Sequence, residues 1–62
     1  MINNWHKTTD SLPPEGWVVM TKIDTGIGGV RNMQRLKLQG NLWFYPDGSM
    51  YVYYTPTHWR FG

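Results

Sequence analysis

Hydrophobic and polar positions divide this chain at Trp17. Before it the apolar residues keep neither strand nor helix spacing. Thr8-Thr9-Asp10-Ser11 is rich in side chains that cap and turn the backbone. Leu12-Pro13-Pro14-Glu15-Gly16 then forbids a continuing helix, because each proline lacks an N–H and restricts the residue ahead of it. One short helical turn near residues 8–12 is the most this stretch supports. From Trp17 the pattern changes. Trp17-Val18-Val19-Met20-Thr21-Lys22-Ile23 is β-branched and aromatic, and the loop Asp24-Thr25-Gly26-Ile27-Gly28-Gly29 follows, which predicts a strand and a turn. Between Val30 and Leu38 the alternation is uneven but legible. Val30, Asn32, Gln34, Leu36 and Leu38 fall on one side, and Arg31, Met33, Arg35 and Lys37 on the other. Period-2 spacing of this kind predicts a half-buried strand. A helix competes, since Met33, Leu36 and Gly40 also fit its spacing, but the flanking glycines leave it too short.

Gln39-Gly40-Asn41 reads as a further turn. Leu42 to Tyr45 and Met50 to Tyr54 then flank Pro46-Asp47-Gly48-Ser49, where proline presets φ, aspartate bonds locally and glycine accepts positive φ. This predicts a β-hairpin. Thr55-Pro56 interrupts pairing, and Thr57 to Phe61 is expected as a last short edge strand. The sum is a mainly all-β fold. It is expected to be a small antiparallel meander or partly closed barrel of four to five strands, one domain over residues 1–62, with an irregular N-terminal segment.

Composition sharpens this picture. At 62 residues a chain buries only about 60% of the surface its unfolded form exposes. It has no cysteine for a disulfide or thiolate metal site. Its ten aromatic rings are the available substitute for a larger aliphatic core, each burying on the order of 150–250 Å². Trp17 and Trp43 are expected inside. No run approaches the roughly 20 apolar residues of a membrane span. Met1-Ile2-Asn3-Asn4-Trp5 lacks the basic and apolar regions of a signal peptide. A formal charge of +2 permits an acidic partner without demanding one.

The chemistry-bearing residues are few. His58 and His6 are far apart in sequence and without clustered acids, so no metal site is expected, and His58 is read as bonded to Thr57 or a carbonyl. Asp10, Glu15, Asp24 and Asp47 suit turns rather than paired acid–base work, so neither catalysis nor a cofactor is expected. Gly26-Ile27-Gly28-Gly29 lacks the following helix of a phosphate loop. The candidate binding residues are Arg31, Arg35 and Lys37, placed together by alternation, with Tyr51 and Tyr53 from neighbouring strands. Interleaved cations and rings suit protein interfaces and single-stranded nucleic acid alike. A solvated face with arginine stems shielding the rings is the plain alternative.

Trp5, Asp10-Ser11-Leu12-Pro13-Pro14-Glu15-Gly16, Trp43 after a glycine turn, and Thr57-His58-Trp59 together resemble a short phage and prophage domain family of unknown function. That family is marked by an early tryptophan, a Leu-Pro…Gly turn before a strand and a terminal Thr-His-Trp. The resemblance covers nearly the whole chain. Members often continue past Thr-His-Trp into a proline-rich tail, where this sequence has Arg60-Phe61-Gly62. The resemblance implies expression in the cytoplasm of a bacterial host and carries no catalytic or binding residues. With that setting, the expected role is a non-catalytic accessory protein that binds a host or phage protein, with a homodimer also open. Single-stranded nucleic acid is the alternative partner, and no membrane association is expected.

Overall fold

The computed structural model describes residues 4–62. They form one antiparallel sheet of five strands: β1 (His6–Lys7), β2 (Val18–Asp24), β3 (Val30–Gln39), β4 (Leu42–Phe44) and β5 (His58–Arg60). Across the sheet the order is β1-β5-β2-β3-β4. The protein is therefore all-β, with β2, β3 and β4 as a meander and β5 returning to the far side of β2. The sheet stays open, with β1 and β4 as its edges. Among the described residues there is no helix, and so none long and apolar enough to cross a membrane. One turn follows β1, where Asp10 and Ser11 N–H both donate to Lys7 O.

Each connection follows from its residues. Gly40 and Asn41 join β3 to β4 with Gly40 at φ 62°, the glycine-first pattern of a tight II′ hairpin. The Pro46-Asp47-Gly48 turn closes with Gly48 N–H on Tyr45 O (2.8 Å) and Tyr45 N–H on Met50 O (3.0 Å). Ser49 N–H on Asp47 Oδ1 (2.9 Å) holds that carboxyl below the ordinary carboxylate range.

Beyond this turn the expected second strand, Met50 to Tyr54, does not form. Pairing stops after the Phe44–Tyr51 bridge and the Val52 N–H bond to Trp43 O (2.8 Å). The physical reason is topological. β4 lies at one edge and β5 at the other side of β2, so residues 52–57 must cross the sheet rather than pair along it. Val52 and Pro56 are buried in that crossing and Tyr54 packs on the core, so the alternation read as a strand belongs to a lid.

Val19, Leu36, Leu38, Trp43, Val52 and Trp59 make the core. Cross-strand partners share a face, and the register Val19↔Leu36, Leu38↔Trp43 and Thr21↔Trp59 puts all five strand residues of this core on one face with Thr21. Trp59 Nε1 donates to Ser11 O (3.0 Å), which fastens the N-terminal segment over the same face. Two expectations are corrected here. Trp17 is 59% exposed, because strand pairing begins one residue later at Val18↔Lys37; it meets Phe61 edge-on instead. The last strand is interior rather than an edge, because His6–Lys7, read as irregular, adds outside it.

Candidate functional site

Among the described residues no second lid like 52–57 crosses the other face of the sheet, where Trp5 and residues 61–62 lie, and register assigns its residues in three cross-strand lines. Lys7, His58 and Lys22 form the first, Arg60, Met20 and Arg35 the second, and Val18, Lys37, Phe44 and Tyr51 the third. Five of the six lysines and arginines thus share this open face with only Asp24 among the four acids. Five cations less one acid give it a formal +4. Asp10, Glu15 and Asp47 lie outside the strands, and Asp47 sits in the turn beside Lys37.

Arg31 is the exception, and a β-bulge explains it. Thr21 pairs with Gln34 and Ile23 with Arg31, so Asn32 and Met33 together oppose Lys22. Asn32 sits at φ 55°, a left-handed conformation that asparagine tolerates and β-branched residues resist. The extra residue inverts the alternation. Arg31 joins the side of Ile23 and Thr21, while Arg35 and Lys37 stay on the open face. The expectation that Arg31, Arg35 and Lys37 line one face is corrected to Arg35 and Lys37 alone. Arg31 and Arg35 are exposed and Lys37 is half-buried.

Tyr51 continues the Lys37–Phe44 line, with its ring 6.0 Å from that of Phe44 and 5.3 Å from that of Tyr53. Tyr53 is 80% exposed. Lys37, Phe44 and Tyr51 therefore occupy one end of the face, with the Tyr53 ring of the lid segment against Tyr51 at the sheet's edge. Tyr51 and Tyr53 also line a groove of about 390 Å³ where the hairpin splays apart, with Leu42 and Trp43 opposite.

At the other end, Lys22 Nζ lies 4.4 Å from the centre of the Trp5 ring and 3.4 Å from Asp24 Oδ2. The guanidinium of Arg60 lies 5.3 Å from the same ring. Gly26 N–H (3.0 Å) and then Lys22 hold the Asp24 carboxyl below its ordinary range. Lys22 is nearly buried, so it supplies field rather than contact. Between the two ends, Arg35 Nη1 donates to Gly62 O (3.0 Å) and Arg60 Nη1 to Phe61 O (3.2 Å). The two arginines thus each hold a backbone oxygen of a segment that lies against Met20.

Sequence reasoning missed Lys7, Arg60, Trp5 and Phe44. The first two come to the face only through the β1-β5-β2 order, which no local pattern encodes. Asn32 was a readable signal, since asparagine is depleted in strands and enriched at positive φ.

Thr57-His58-Trp59, the most distinctive run, is built as a lock. Thr57 N–H donates to Lys22 O (3.0 Å) and its hydroxyl accepts Asp24 N–H (2.8 Å). Thr57 O accepts Thr8 N–H (3.0 Å), and Thr57 Oγ1 lies 2.7 Å from His58 Nδ1. The motif ties β1, β2 and β5 together. Among the described residues no three His, Asp or Glu side chains gather as metal ligands do. Comparison with protein-family models, curated proteins and solved structures finds no match to this chain.

Proposed function

We propose that this protein is a non-catalytic accessory module, a phage or prophage product acting in the cytoplasm of its bacterial host, that works by binding an anionic partner through the open face of its sheet. The observation that carries this reading is the gathering of charge, with five of six basic side chains on one face of the sheet and Asp24 the one acid that strand register places among them. Rings at both ends of that face add contact area of the kind that dominates binding hot spots. The resemblance to a phage and prophage family supports the setting. A host or phage protein with an acidic surface and a single-stranded nucleic acid both meet the charge requirement.

The test is retention on heparin, a polyanion of neither class. Wild-type protein should bind and elute with salt, and the double reversal Arg35→Glu/Arg60→Glu should flow through while still showing a cooperative thermal transition. Wild-type protein that flows through near physiological salt would contradict the reading. A pull-down from the bacterial host, with the double reversal as control, then identifies the partner.

A further inference from the structure

Resting on that reading, we infer that the anion is a single-stranded nucleic acid lying diagonally across the open face, from Lys7 through Arg60 and Arg35 to Lys37. The geometry sets the path. Neighbouring strands lie about 4.8 Å apart and same-face residues along a strand about 6.7 Å apart. Lys7 to Arg60 is one strand and one line, Arg60 to Arg35 two strands, and Arg35 to Lys37 one line. The cations therefore follow a track of roughly 25 Å, within the 31 Å long axis of the molecule.

Phosphates suit this track better than carboxylates on a folded protein. A protein partner binds tightly by sinking anchors into pockets, and the track crosses the middle of the sheet, where residues 61 and 62 lie against Met20 between Arg60 and Arg35. The groove lies off its end and no charged residue lines it. A flexible polyanion can instead follow regularly spaced cations while its bases meet rings. Phe44 and Tyr51 stand in line with Lys37 at one end, and the exposed Tyr53 ring lies 5.3 Å from that of Tyr51. This is charge tracking the backbone with rings stacking the bases, the combination that single strands require.

Arg35 and Arg60 already hold backbone oxygens of residues 61 and 62. A guanidinium has five N–H donors, so each arginine keeps donors for a phosphate beside the oxygen it already holds.

The test uses the full chain and a fluorescein-labelled oligo-dT of about twelve nucleotides, within the usual range of site sizes. Titrations between about 50 and 200 mM salt should give a log–log slope of roughly −2 to −3, as three or four phosphates each contribute about −0.7. Arg35→Glu/Arg60→Glu should weaken binding at least about tenfold and flatten the slope. Tyr51→Ala/Tyr53→Ala should weaken it about fivefold or more without changing the slope, as loss of stacking does. Should either double variant fail to fold, Arg35→Gln and Tyr53→Ala replace them.

Equal affinity for polyglutamate or duplex DNA would overturn the inference while leaving an anion-binding face intact. An unchanged affinity in the tyrosine variant would overturn it in the same way. Failure to bind oligo-dT, polyglutamate and heparin alike would sink both readings.

Discussion

The two faces of this sheet are built from the same strands and follow different rules. On the apolar face Val19 and Leu36 are wholly buried, Trp43 and Trp59 nearly so, and residues 52–57 lie across them as a lid. On the open face Arg60, Met20 and Arg35 follow one another across β5, β2 and β3. Their partners are a tryptophan ring and the backbone of the chain's last residues. A chain of this length has apolar material for one lid. The second face is left to side chains that stay in water while their stems cover the sheet, which lysine and arginine do. The same arrangement gathers the positive charge. Covering the sheet and gathering the charge thus come from one choice, and the faces should answer mutation differently.

The largest effect belongs to the apolar face. Trp43→Ala or Trp59→Ala should cost about 3–5 kcal/mol, most of the stability of a domain this small, and abolish the cooperative thermal transition. Thr57→Val comes next. It leaves the Asp24 N–H without its acceptor and unties β5 from β2, at about 1–3 kcal/mol by denaturant titration.

The bulge that sorts the two faces is testable at Asn32. Asn32→Val should cost about 1–2 kcal/mol because a β-branched residue resists positive φ, whereas Asn32→Gly should stay near neutral.

A smaller effect is expected with pH. Asp24 has a depressed folded-state pKa, through Gly26 N–H and then Lys22, so its stabilising contribution is complete above the unfolded value. It is lost as pH falls through the folded value. The thermal midpoint should therefore decline below about pH 4, and Asp24→Asn should flatten part of that decline, with the remainder owed to Asp47. The smallest effect on folding belongs to the open face, where charge reversal at the exposed Arg35 should change stability by under about 0.5 kcal/mol.

Much of the fold was legible because period 2 and turn chemistry are local. Val18–Asp24, Val30–Gln39 and the turn at Pro46-Asp47-Gly48 all stand where the sequence predicts a strand or a turn. The start of the lid, residues 52–54, reads as part of a strand from Met50 to Tyr54 because an extended segment alternates in the same way whether it pairs or merely covers a core. Trp17 was misplaced because a tryptophan at a strand's opening looks the same in sequence as one within it.

The candidate face was half legible. Arg35, Lys37 and Tyr51 share it as expected, but Lys7 and Arg60 arrive by topology, and Arg31 leaves through one extra residue at Asn32–Met33. Alternation arguments hold only as far as the next bulge.

That division is tested most directly by a matched pair in one strand. Arg31 and Arg35 carry the same charge four positions apart in β3, both exposed, on opposite faces. Arg31→Glu and Arg35→Glu change net charge identically. Measured side by side for oligo-dT affinity near physiological salt, where screening acts over about 8 Å, Arg35→Glu should weaken binding about tenfold. Arg31→Glu should stay within about twofold of wild type. Equal losses in the two variants would mean that bulk charge governs binding and that the bulge sorts nothing.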